Sequence, residues 1–489
     1  MKKTELYKVR QLLDKFSSDI LYVHWKSNQH FDDALTGVDD LDILVDRHQY
    51  AEVVNILNEL KFKRFIIPSA RAYVGIEDWL GFDEKTGTIF HLHLHSQLMI
   101  GEKHLKGIHL PLEERILENR RWDEEHGAYL SSYYDELLLL MMRVAIKVRK
   151  RNLITGHVLG GSTQTEYEWL RERCPDFYER IQSEEWLTER IIKDLLNLHT
   201  KGFTWWRCNA LKWHIYKDLA PYSQGSGMHN TLTRNYRELS RVVLEIKKRY
   251  LRSKYTLTRR RVATGGVTIA FLGSDGAGKS STIKEIYKWL YQLMDVRFFY
   301  LGSGDGQVSL LRFPVKLAMK IAIKLGVVNK SNNFSDSKLQ KKENSKKGLA
   351  RNVWVYTLAK ERIKKLTHAN RCRLRGFVIL TDRYPQSEFP GLCDGKRLLG
   401  DRGLAARTEE ESFRIAQLCP PDLVIKMIVP PEVAAQRKPG EIDVETSRNL
   451  TERVKEIKFS KRTKCVEIDS NQPQEKVWND VKKIIWDNL

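Results

Sequence analysis

Gly273, Gly278, Lys279 and Ser280 stand at a spacing that cradles a phosphate chain: two glycines bracketing four residues, then a lysine, then a hydroxyl. Glycines let backbone N–H groups turn inward around a triphosphate at the N-terminus of a helix. In that arrangement Lys279 reaches the β- and γ-phosphates and the Ser280 hydroxyl sits on Mg2+, with Gly276 inside the loop and Ser281 just beyond it. A turn that merely caps a helix needs neither the lysine nor the hydroxyl, so the loop implies a site for a nucleoside triphosphate. Asp382-Arg383 forms a second group, delivered by the apolar run Phe377–Thr381. A carboxylate at a strand's C-terminal edge can orient Mg2+-bound water or an acceptor hydroxyl, and an arginine beside it can stabilise charge on a transferring phosphoryl group. The plainer reading is a strand-end aspartate capping the next segment. A third group is Asp40 and Asp42, which alternate with apolar residues in Gly37–Asp46 and so project from one strand face. Two such carboxylates can hold a divalent metal against a triphosphate, or form an acidic strand edge paired with nearby lysines. His91, His93 and His95 alternate in the same way, compatible with a transition-metal site or with a solvated, partly packed histidine face.

The elements that must position these groups are legible in part. Val267–Leu272 reads as a buried strand, and from Ser281 the apolar residues Ile283, Ile286, Trp289 and Leu290 recur at helical spacing. Further strands are expected at Val296–Leu301, Phe377–Thr381, Leu423–Val429 and Cys465–Ile468, with a last helix over Gln474–Trp486. Strands alternating with helices predict an α/β unit over 267–489, a parallel sheet with helices on both faces. The polar, basic, glycine-terminated stretch 255–266 reads as a linker. Before it, residues 1–125 mix helices and strands, and 126–254 are mostly helical, led by Tyr134–Val148.

The 489 residues are too many for one core. Six cysteines without CxxC spacing read as reduced thiols of a cytoplasmic protein, and no apolar run is long enough to span a membrane. The net charge of +21 is local: Val308–Gly376 holds eighteen Lys/Arg against three Asp/Glu, and Arg234–Arg261 eleven against two. Such patches face phosphates, an anionic membrane surface or nucleic acid, or else are solvated helix faces. Within Val308–Lys330, Lys316, Lys320 and Lys324 recur every four residues among apolar ones. This basic amphipathic helix could lie on an anionic membrane, cover a lipid-linked glycan, or pack on the sheet. Neither an RNP-type aromatic motif nor a zinc finger accompanies the basic stretches, which disfavours nucleic acid as the partner.

From Gly266 to Leu489 the chain resembles the thymidylate kinase group of P-loop nucleoside-monophosphate kinases. The resemblance rests on GSDGAGKSST, on TDRY at Thr381–Tyr384, on Pro421–Ile425 with Val429–Val433, and on Val466–Ser470 followed by an amphipathic helix. It implies ATP and Mg2+ as cofactors and transfer of the γ-phosphate to a small-molecule acceptor. Asp275 would face that acceptor, Lys279 the donor phosphates, Ser280 the magnesium, and Asp382 with Arg383 the transfer centre. A lid would lie between Gly391 and Arg414, with Arg397, Arg402 and Arg407 as candidates for closing on ATP. The acceptor side departs from the family: Tyr300–Gly306 replaces its arginine-proline-glycine-glycine segment, and Pro385–Gly391 its thymine-reading stretch. A nucleoside monophosphate, a sugar or a glycan is therefore compatible as acceptor. Residues Leu21 to Glu114 resemble the nucleotidyltransferase superfamily, through Trp25-Lys26-Ser27-Asn28 about a dozen residues before Asp40-Leu41-Asp42, and through the later histidine-bearing strand. Ser27 stands where that family usually has glycine, and His93 where a third carboxylate would complete the metal site. The expected whole is a kinase fused to a nucleotidyltransferase-like module; the alternatives are a nucleotidyltransferase with a regulatory kinase-like half, or a nucleic-acid-binding NTPase.

Overall fold

The computed structural model describes residues 4–69, 71–102, 104–149, 152, 158–249, 259–302, 345–440 and 442–489. The amphipathic segment Val308–Lys330, the acceptor-side residues 303–306 and positions 255–258 of the expected linker lie outside these described residues. The chain divides into two compact units, Met1–Thr256 and Leu257–Leu489.

The first unit is built on strands β1 (Tyr22–His24), β2 (Leu41–Val45), β3 (Lys63–Ile66), β4 (Ile76–Asp83), β5 (Thr88–His95), β8 (Arg121–Asp123) and β9 (Ala128–Leu130); a separate hairpin pairs β6 (Leu98–Ile100) with β7 (Ile108–Leu110). In space the sheet strands run β3-β4-β5-β2-β1-β9-β8. Thus β2 is central, parallel to β5 and antiparallel to β1, with Asp42 beside His93 in the register. Side chains alternate across a strand. Leu41, Ile43 and Val45 enter one core with Leu92 and Leu94, under the helices Tyr7–Asp19 and Tyr50–Glu59. Leu44 belongs to the opposite core, which Trp25 shares with Leu137–Met142 of the helix Tyr133–Lys147 and with the helices from Gly161 to Asp218. Asp42 and the three histidines occupy that second face. The Ser132 hydroxyl caps the helix Tyr133–Lys147 by accepting the Asp135 N–H.

The second unit has β10 (Arg261–Val262), β11 (Thr268–Gly273), β12 (Val296–Tyr300), β13 (Val378–Asp382), β14 (Leu423–Ile428) and β15 (Lys464–Asp469). Five of these form a sheet in the order β12-β13-β11-β14-β15, with every pairing parallel. The inner strands are apolar runs because helices cover both faces of such a sheet: every residue of β13 is buried, as are the first five of β14, whereas the edge strands β12 and β15 are largely outside the core. The helix Lys279–Tyr291 buries Ile283, Ile286, Trp289 and Leu290, the apolar set read from sequence. Since β11 lies between β13 and β14, the loop after it opens at the C-terminal edge where the chain order reverses, the usual ligand crevice of open α/β sheets. No helix among the described residues is long and apolar enough to cross a membrane.

Candidate functional site

The loop between β11 and the helix Lys279–Tyr291 is shaped by its glycines. Gly276 has φ +88°, and a Cβ there would come within 2.7 Å of the Ala434 carbonyl oxygen; Gly278 has φ +82°. Only glycine takes this backbone without strain. Lys279 is buried, and its Nζ donates to the carbonyls of Gly273 at 2.8 Å and Ser274 at 2.7 Å. Burial first, and the neighbouring Arg383 second, push this ammonium down to about 8. Ser280 and Ser281 are exposed on the first turn of the helix, and the Ser274 hydroxyl meets Thr451 at 3.3 Å.

Asp382 ends β13 beside Phe271 of β11, which sets it next to the loop. Its carboxylate is buried, Oδ1 has no hydrogen-bond partner among the described residues, and burial raises its pKa against the pull of Lys279 and Arg383. Arg383 adopts the left-handed conformation, φ +67°. Its guanidinium donates to Asp275 Oδ1 at 2.8 Å and to Asp394 Oδ2 at 3.3 Å. Asp394 also accepts from Arg362 at 2.7 Å, and Arg362, 2% exposed, donates to the Leu301 carbonyl. Against the upward push of burial, Arg383 and Arg362 hold Asp394 below the ordinary carboxylate range. Arg362 and Asp394, which escape a reading of the sequence, are therefore the pair that fixes Arg383. Arg362 carries no local signal, being one cation in a long basic helix; Asp394 lies in the expected lid but is not an arginine. Of the lid candidates, Arg397 lies over the Trp354 ring at 4.7 Å, with burial and then Arg362 pushing it down to about 10, whereas Arg402 and Arg407 are exposed. A cavity of about 450 Å³ opens at the C-terminal ends of β14 and β15, lined by Pro430, Thr451, Lys455 and Asp469 among others. Another, of about 340 Å³, is lined by Thr268, Arg373, Tyr384 and Asp422 and takes in no residue of the loop.

In the first unit Asp40 and Asp42 have different partners. Asp42 is buried, with Lys26 Nζ 2.8 Å from Oδ2 and His95 Nε2 3.2 Å from Oδ1. Burial would raise its pKa, but Lys26, then His93 and His95, hold it well below the ordinary carboxylate range. Asp40 meets His91 Nδ1 at 2.6 Å and His93 Nδ1 at 3.5 Å. Ser27 takes the left-handed turn, φ +59°, that glycine would adopt freely. Asn28 beside it is buried and donates to Glu136 and Ser131.

Similarity to known proteins is partial. The chain is 28% identical over 229 residues to the uncharacterized ATP-binding protein YghR of Escherichia coli K12, a match covering 44% of this chain and 86% of the relative. It is 27% identical over 180 residues to the uncharacterized ATP-binding protein YghS of the same strain, covering 35% of this chain and 73% of the relative. No family model matches the chain.

Proposed function

We propose that the second unit is an ATP-dependent kinase that transfers the γ-phosphate to a small-molecule acceptor, fused to a nucleotidyltransferase-like first unit. The convergence of Asp275, Lys279, Asp382 and Arg383 at the mouth of one glycine-bent loop carries this reading. The names of YghR and YghS, as ATP-binding proteins, support its nucleotide half. Magnesium suits the donor set, because the Ser280 hydroxyl is exposed and Asp382 has a buried oxygen without a partner; bound there, it would neutralise phosphate charge.

Lys279 leaves the carbonyls of Gly273 and Ser274 to meet the donor phosphates. The loop's N–H groups and the helix N-terminus hold those phosphates in line. Arg383, locked by Asp394 and Arg362, stabilises the charge of the transferring group while Asp275 and Asp382 orient the acceptor hydroxyl. Such transfer needs positioning and charge neutralisation rather than a covalent intermediate. The first unit either supplies a second reaction or presents the substrate. An acceptor screen with labelled ATP, spanning dTMP, other nucleotides, sugars and lipid-linked glycans, tests the kinase. Label transfer that Lys279→Ala removes supports it, and transfer that survives this change refutes it. Nucleotide incorporation lost in Asp40→Asn/Asp42→Asn, with the kinase step absent, would instead favour a nucleotidyltransferase with a regulatory second half.

A further inference from the structure

In the first unit, one ligand atom each from Asp40, His91 and His93 lies within 4.8 Å of the others. His91 is held between two carboxylates, Nδ1 at 2.6 Å from Asp40 and Nε2 at 2.7 Å from Asp78. Between two ionised carboxylates an imidazole satisfies both contacts if both nitrogens donate, or if a cation takes the place of one proton. The second solution is the arrangement found around bound metals, in which a histidine ligates through one nitrogen and donates the other to a carboxylate that orients it. Here Asp78, 5% exposed, is the orienting carboxylate and Nδ1 is the ligating atom. His93 Nδ1 lies 3.5 Å from Asp40 Oδ2 and 3.3 Å from Asp42 Oδ1. Atoms sharing one metal at bonds of about 2.1 Å stand roughly 3 to 3.5 Å apart, which is close to the separation of His93 from Asp40 and from Asp42. The Asp40 side chain is 43% exposed and that of His93 26%, which leaves a path for the ion. Two imidazoles and a carboxylate suit zinc, cobalt, nickel or manganese better than magnesium, which prefers oxygen ligands.

A second, independent feature lies beside this cluster. Lys26 and Arg143 both approach the Trp25 ring, at 5.4 and 5.5 Å, and Lys26 pairs with Asp42. Lys106 is near enough to be pressed by Lys26, Arg143 and Lys147, and burial together with those cations pushes it down to about 7. Cations thus crowd this region, where Asp42 is the carboxylate that pairs with Lys26. Such crowding costs stability unless an anion joins them.

We infer that Asp40, His91 and His93 hold a divalent transition-metal ion beside a phosphate-bearing ligand received by Lys26 and Arg143. This does not rest on the kinase assignment, nor on the first unit transferring nucleotides.

The test uses the full chain carrying Lys279→Ala, so that the second unit's loop contributes no phosphate binding. After chelation, Co2+ is titrated alone and its visible absorption followed, then inorganic tripolyphosphate is added. One Co2+ per chain is expected, with bands reporting nitrogen ligands and not displaced by a tenfold excess of Mg2+. Asp78→Asn should weaken Co2+ binding about tenfold. His93→Asp should move preference toward Mg2+, a change that a purely structural histidine would not produce. Tripolyphosphate should tighten Co2+ binding, and Arg143→Met should remove that tightening. Displacement of Co2+ by equimolar Mg2+, or unchanged bands in His91→Ala/His93→Ala, would overturn the metal site. Tripolyphosphate without effect on Co2+ affinity would overturn the anion half.

Discussion

Two buried aspartates on sheet strands show how differently the two units hold charge. Asp42, in β2, has Lys26 on one oxygen and His95 on the other, and its pKa is depressed. Asp382, at the end of β13, leaves one buried oxygen without a partner among the described residues, and its pKa is raised. The first unit satisfies its carboxylate from within. The second holds a carboxylate that the protein alone leaves at a cost, which a ligand-bound cation can offset. Buried polar groups are ordinarily paired, so an exception beside the glycine-bent loop points to chemistry rather than packing.

The largest effect that would break this contrast is in the loop. Lys279→Ala should lower phosphoryl transfer by about 10³-fold or more, measured with the acceptor found by screening, and should leave metal binding by the first unit unchanged. Next comes Arg362→Met. It removes one of the two guanidiniums paired with Asp394, 5% exposed, and should cost about 3 kcal/mol in urea unfolding. Lys26→Met should cost less, about 1 kcal/mol, because Asp42 keeps His95 and lies beside His93. Equal losses in the two variants would mean that Asp394 and Asp42 are held alike.

How much of each site shows in the sequence follows from how each is assembled. The phosphate loop is one contiguous stretch whose shape depends on backbone torsions, so glycine spacing announces it. The inner strands beside it are buried on both faces and appear as apolar runs, as Leu423–Val429 does for β14, Leu423–Ile428; the edge run read at Cys465–Ile468 occurs as Lys464–Asp469 and is largely exposed. Arg362 and Asp394 come together from positions 32 apart through tertiary packing, and nothing local distinguishes either. The Asp–His cluster is harder still. The alternation of Asp40 with Asp42 and of the three histidines is visible, but the division of partners between the two aspartates depends on Lys26, Asp78 and the β2–β5 register. Lys106, Arg143 and Lys147 enter from a loop and a helix whose sequences mark them only as surface cations.

Proton linkage sharpens the contrast further. Lys279 has a folded pKa of about 8, and phosphates bound to it would favour its charged form. ATP binding should therefore take up a proton above that pH, and affinity should fall about tenfold for each further pH unit. Calorimetry in buffers of different ionisation enthalpy measures this uptake. Lys279→Met should bind weakly with no such slope, and a wild-type affinity flat from pH 7.5 to 9.5 would contradict the shift.

The smallest effects have opposite signs in the two units. Asp382 has a pKa raised by folding, so its ionised form destabilises the protein above that pKa, and the penalty fades as pH falls toward the unfolded value. Asp42 has a pKa depressed by folding, so its contribution is full above the unfolded value and is lost as pH falls through the folded one. Asp382→Asn should thus stabilise the ligand-free protein by about 1 kcal/mol at pH 7 while impairing transfer. Asp42→Asn should destabilise by about the same amount, because it leaves the Lys26 ammonium without its carboxylate. Paired urea titrations at pH 7 and pH 4 separate the two: the Asp382→Asn difference should shrink at the lower pH, whereas the Asp42→Asn difference should persist, because pH 4 still lies above the ordinary value of 3.8. If Asp382→Asn destabilised instead, its carboxylate would be an ordinary structural partner, and the reading of β13 as the edge of a transfer centre would lose its physical ground.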